Sequence, residues 1–136
     1  MARPASVGDA LREAAVSLRT TGASRSPRLD AELLLARALG VTRAELFRET
    51  DRELTDEEAA AFERLLDRRL AREPVAYILG RRAFRTIDLE VTPDVLIPRP
   101  ETETVVEVAL EALRGMPIVG PDPEDEPLAL DVGTGS

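Results

Sequence analysis

Leu128-Ala129-Leu130-Asp131-Val132-Gly133-Thr134-Gly135-Ser136 combines a short apolar run, an acid and a Gly-x-Gly. This is how the first strand of a nucleotide- or cofactor-binding α/β domain ends and turns. Glycines at such a turn let the backbone approach a ligand, and the helix that follows aims its N-terminal N–H groups at it. That helix falls past Ser136, so the segment names a kind of site and shows only its first part. The alternative is an ordinary strand-to-helix turn with no ligand.

Working outward, composition narrows the chemistry. The 136 residues are 43% hydrophobic, enough for one ordinary core or for a small domain with part of another. Three Phe and one Tyr leave that core to aliphatic side chains. There is no Cys and no His, which excludes a disulfide framework, thiol catalysis, a His–Cys zinc site and any Ser-His or Cys-His pair within these residues. All 18 basic residues are Arg, most simply a coding bias, and without Lys there is no P-loop. Chemistry must come from carboxylates, hydroxyls, Arg, backbone groups or a bound cofactor; no metal site is expected.

The net charge of −8 is uneven. Residues 1–74 carry 13 Arg against 14 acids, and residues 75–136 carry 5 Arg against 12 acids. Neither part is the basic footprint of a protein that binds nucleic acid through phosphate contacts. Asp9, Arg12 and Glu13 interrupt the first apolar residues, unlike a signal peptide. No stretch approaches the roughly 20 apolar residues of a membrane span. The expectation is a cytoplasmic, monomeric protein that contacts neither membrane nor nucleic acid directly.

Residues 1–73 read as helices. Val7, Ala10, Leu11, Ala14 and Leu18 fall at helical spacing, and Gly22 marks the exit. Ser26-Pro27 opens a second helix, whose broad face (Leu29, Leu33, Leu34, Ala36, Leu39) suits the centre of a bundle; Gly40 stops it. Thr42 to Glu45 and Thr55 to Glu58 have capping-box form. They start a short helix with Leu46 and Phe47, then a longer one through Phe62, Leu65, Leu66 and Leu70 that ends at Glu73-Pro74. The period then changes. Ile87, Leu89 and Val91 alternate with polar residues, predicting a strand that pairs with one holding Phe84 across a turn near Arg85-Thr86. Glu101 to Arg114 reads as an amphipathic helix with Val105, Val106, Val108, Ala109, Leu110 and Leu113 inside. Gly115 to Pro127 is a Pro- and acid-rich loop, and residues 128–132 are the strand that leads into the glycines.

Three segments could carry function. In the first, dinucleotide-binding dehydrogenases usually have an apolar residue two positions before the first Gly. Asp131 in that place looks more like the first motif of S-adenosylmethionine-dependent methyltransferases. The second is Ile97-Pro98-Arg99-Pro100-Glu101-Thr102-Glu103, where two prolines fix the backbone on either side of Arg99. Helix capping and the helix dipole account for Glu101 and Glu103, but not for an Arg held between two rigid residues. The third is Glu73-Pro74-Val75-Ala76-Tyr77-Ile78-Leu79-Gly80, read by itself as a helix stop followed by a buried strand.

In this order, and with Ala31-Glu32-Leu33-Leu34-Leu35, Arg68-Arg69 and Phe84, the three segments resemble the HemK/PrmC-type glutamine N5-methyltransferases of peptide chain release factors. The resemblance covers essentially the whole chain. It implies an α+β fold: a helical substrate-binding bundle over 1–74, a β-hairpin linker over 75–100, and over 101–136 the first helix and strand of a Rossmann-like methyltransferase domain. It implies that the bundle helps to hold a release factor whose Gly-Gly-Gln loop is methylated, with S-adenosylmethionine as donor. By position, Gly133, Thr134, Gly135 and Ser136 would contact the methionine part of the cofactor and Asp131 would support that loop. Pro98, Arg99, Glu101 and Thr102 would line the pocket or order its wall.

An amide nitrogen is a poor nucleophile, because its lone pair is delocalised into the carbonyl. Acceptors for both amide N–H groups, held in line with the methyl donor, favour the reactive geometry. In the family an Asn-Pro-Pro-Tyr segment supplies them. This chain has no Asn, so no catalytic residue is expected among residues 1–136, and the chain alone is expected to be inactive. Three other readings compete: a non-catalytic protein-binding bundle, a nucleic-acid base methyltransferase, which the acidic balance disfavours, and a dinucleotide oxidoreductase, which Asp131 disfavours.

Overall fold

A computed structural model describes residues 6–117 and 127–135, with mixed helix and a small sheet. The chain forms two compact units, Met1–Gly80 and Arg81–Ser136. In the first, helix α1 (Val7–Thr20) begins at Ser6, whose hydroxyl accepts from the Asp9 N–H at 3.1 Å. All five residues of its expected stripe are buried. Helix α2 (Pro27–Leu39) packs against α1, α3 (Arg43–Arg48), α4 (Asp56–Leu70) and α5 (Val75–Leu79), and so holds the central place that its broad apolar face predicts. The face itself differs from the expectation: Ala31, Leu34, Leu35 and Ala36 are buried while Leu29 is exposed. Leu18, Leu34, Leu35, Leu46 and Val7 form the fully buried centre.

The helix ends follow local chemistry. Thr42 with Glu45, and Thr55 with Glu58, make complete capping boxes. Ser26 stands at the cap position of α2 but makes no side-chain cap bond. Past α4, Arg72 has φ +70, a left-handed backbone that glycine adopts more easily. Its guanidinium donates to the carbonyls of Gly22 (3.2 Å) and Thr21 (3.3 Å), which satisfies acceptors at the end of α1 and explains an Arg in that place.

Two corrections arise. Residues 75–79 form α5, not a strand and not part of a hairpin linker. Ala76 and Ile78 are buried, and Gly80, at φ +69, ends the helix. Five apolar residues do not distinguish strand from helix by periodicity, and packing against α2 and α4 decides it. The first unit accordingly ends at Gly80.

The second unit opens with strands β1 (Arg81–Phe84) and β2 (Ile87–Glu90), antiparallel with Phe84 opposite Ile87, as the alternation predicts. Helix α6 (Pro100–Arg114) follows. Val106, Leu110 and Leu113 are half-buried, whereas Val105, Val108 and Ala109, expected inside, are exposed. No described helix is long and apolar enough to cross a membrane.

Thr55→Ala is expected to lower stability by about 1 kcal/mol, read as a lower Tm in a helical circular dichroism melt. Hydrogen bonds from Arg52, then from the Thr55 N–H, hold the Glu58 carboxyl below the usual glutamate range. A carboxyl depressed in the folded state contributes stability above its unfolded pKa and loses it as pH falls through the folded value. Melts taken from about pH 6 down to about pH 3 should show a falling Tm, with a smaller fall in Glu58→Gln.

Candidate cofactor site

Both candidate segments lie in the second unit. Arg99 is the residue before α6, at φ −88 and ψ 143, and Pro100 takes the first helical position. Extended backbone before a proline is what sterics demand, and the proline lacks only an N–H that would be unsatisfied there anyway. The first turn closes with the Thr102 N–H donating to the Arg99 carbonyl at 3.0 Å. Arg99 Nε lies 3.6 Å from Glu101 Oε2, with both side chains more than 70% exposed. A pair so wet contributes little, so Arg99 is not immobilised by it. Pro98 is half-buried; Glu101 and Thr102 are exposed.

Glu103 has a role that the sequence reading missed. Its carboxylate accepts from the Arg85 N–H at 3.1 Å, and the Arg85 guanidinium pairs with Glu107. Arg85 sits in the hairpin turn at φ +51. Two acids one helical turn apart thus fasten the β1–β2 turn to α6 and orient the helix whose start carries Pro98–Thr102. The available signal was an Arg, rather than Asn or Gly, in a two-residue turn, which needs outside support.

At the second segment both glycines take positive φ, and the expected strand does not form. Gly133 (φ +79) and Gly135 (φ +75) are both left-handed, and among the described residues no heavy atom beyond the adjoining chain lies within 4 Å of where a Cβ would stand. The backbone there is open to a ligand, which fits a cofactor that approaches main-chain N–H groups. Residues 128–132 are not a strand: Leu128, Leu130 and Val132 are 83–90% exposed. A parallel strand needs ladder partners on its edges, and the described residues supply none beyond the hairpin. Asp131 and Thr134 are exposed; Ser136 lies outside the described residues, as do 118–126 of the expected acidic loop. No hydrogen bond or ion pair among the described residues joins this segment to Pro98–Thr102.

A family model described as the PrmC N-terminal domain matches residues 9–80. The chain belongs to the PrmC N-terminal domain family. Its similarity to curated members extends further. It is 46% identical over 122 residues to the release factor glutamine methyltransferase of Coxiella burnetii, covering 89% of this chain and 41% of that protein. Against the protein of the same name from Aliivibrio fischeri it is 41% identical over 128 residues, covering 94% and 42%. Against that from Chlorobaculum tepidum it is 47% identical over 110 residues, covering 81% and 36%. The longest of these matches exceeds the first unit, so it takes in residues of the second unit as well. The PrmC-type chain spans about two-fifths of the length of these relatives.

Proposed function

We propose that this protein takes part in methylating the glutamine of the Gly-Gly-Gln loop of peptide chain release factors at N5, with S-adenosylmethionine as donor. The observation that carries the reading is identity above 40% to proteins named release factor glutamine methyltransferase, over up to 94% of the chain. In this reading the helical unit holds the release factor, and the second unit begins a Rossmann-like domain. Asp131, Gly133, Thr134, Gly135 and Ser136 hold the cofactor, while Pro98, Arg99, Glu101 and Thr102 order its wall. The left-handed glycines support it, because they leave main-chain N–H groups open to a carboxylate such as that of the methionine part. When bound, the cofactor supplies an electrophilic methyl group on a sulfonium.

The uncovered Leu128, Leu130, Val132, Val105 and Val108 also support it. In a protein at the length of the relatives these residues become interior, covered by further strands and helices of the α/β sheet. The acceptors for the glutamine amide belong to that further region, in the Asn-Pro-Pro-Tyr segment of the family.

A polypeptide of residues 1–136 is therefore expected to transfer no methyl group. The check is mass spectrometry of a bacterial release factor incubated with this polypeptide and S-adenosylmethionine, beside the same assay with the intact protein. The expected result is a 14 Da gain (roughly one methyl for hydrogen) on the Gly-Gly-Gln peptide with the intact protein alone. Methylation by residues 1–136 would refute the division of labour. No methylation by the intact protein would refute the function.

A further inference from the structure

Two adjoining grooves of about 430 and 440 Å³ meet at Ser26 in the first unit. Their walls carry Arg19, Arg25, Arg28, Arg43, Arg69 and Arg72 against only two carboxylates, Asp30 and Glu32. Both carboxylates are buried and already engaged. Asp30 accepts from Arg69 at 2.7 Å, and Glu32 accepts from Arg28 at 3.0 Å and Arg43 at 2.6 Å. The lining thus has an excess of four positive charges in a chain whose net charge is −8.

The positive charge is available. Arg72 spends its hydrogen bonds on the neutral carbonyls of Thr21 and Gly22, which leaves its charge uncompensated. The exposed side chains of Arg19 and Arg25 have no hydrogen bond or ion pair among the described residues. Leu29, 41% exposed, adds an apolar surface to the second groove. An exposed leucine ringed by arginines suits a partner that brings carboxylates and one apolar side chain together, since planar guanidinium forks match carboxylates.

From this we infer that the arginine-lined grooves around Ser26 dock an acidic polypeptide segment, one carrying an apolar side chain, on the protein substrate. The inference rests on the reading of the first unit as the holder of a release factor. A nucleic acid fits less well. It needs phosphate contacts repeated along its length, and outside the grooves the unit offers acids such as Asp56, Glu57 and Glu58 at the start of α4.

The test is fluorescence anisotropy of a labelled, purified bacterial release factor titrated with the chain. The double variant Arg19→Glu/Arg25→Glu should weaken binding about tenfold and flatten its dependence on salt, with helical circular dichroism retained. The control Arg37→Glu/Arg64→Glu makes the same charge change at exposed arginines outside the grooves, and should stay within about twofold of wild type. Arg19→Lys/Arg25→Lys keeps the charge but loses the planar fork, so it should weaken binding less than the charge reversal does. Equal weakening by both reversed pairs would overturn the docking surface in favour of general charge attraction. Wild-type affinity in the groove variant would overturn it too, while leaving the release-factor reading in place. No binding by the wild-type chain would instead remove the reading on which the inference rests. Tighter binding of a polyuridine of about 20 nucleotides than of the release factor would assign the grooves to nucleic acid.

Discussion

Replacing Gly133 and Gly135 together by valine is expected to weaken S-adenosylmethionine binding by the intact protein about 100-fold. Both glycines have φ near +75 to +79, where a β-branched residue is strongly disfavoured. Each substitution forces the turn out of its left-handed geometry or holds it there at a cost of about 1–3 kcal/mol. A combined loss of about 3 kcal/mol corresponds to two decades in affinity. Among the described residues a Cβ at either position meets nothing within 4 Å, so the expected loss is argued from the backbone alone. Isothermal titration of the double variant measures it, and affinity equal to wild type would show that these glycines do not shape the site. The first unit, which lies before Arg81, should keep its Tm in the same variant.

Asp30→Ala is expected to destabilise the first unit by about 3 kcal/mol, read as a lower denaturant midpoint. Arg69 is 14% exposed and reaches Asp30 at 2.7 Å, so removing the carboxylate leaves a guanidinium with little water and only the Glu73 carbonyl. Breaking a buried pair from one side costs several times more than losing a surface pair. Arg28→Ala provides the contrast: its side chain is 77% exposed, and its partner Glu32 keeps Arg43. That variant should stay within about 0.5 kcal/mol of wild type. If the two substitutions cost the same, the Asp30–Arg69 pair is not the tie between α2 and α4 that its geometry implies.

What could be read from the sequence was whatever local chemistry decides. The α1 stripe, the boxes at Thr42 and Thr55, and the hairpin turning at Arg85-Thr86 each depend on residues within one or two turns of each other. What could not be read depends on distant partners. Asp30 finds Arg69 across 39 positions, which periodicity does not record, and Glu103 finds the Arg85 N–H across 18. Val75–Leu79 has the β-branched, apolar look of a strand, yet α2 and α4 offer it a helical berth. Leu128–Val132 shows the converse: the apolar pattern is there, but pattern alone does not make a strand without edges to pair with. At the candidate site the glycines and the proline-flanked Arg99 are expectations from sequence, while the clamp of α6 on the hairpin turn emerged only from the fold.

The claim on which everything else turns is that the Asp131–Gly135 turn serves a sulfonium methyl donor. Calorimetric titration of the intact protein with S-adenosylmethionine and, separately, with NAD tests it most directly. Saturable heat with S-adenosylmethionine and none with NAD is the predicted result. Uptake of NAD with no response to S-adenosylmethionine would contradict the account.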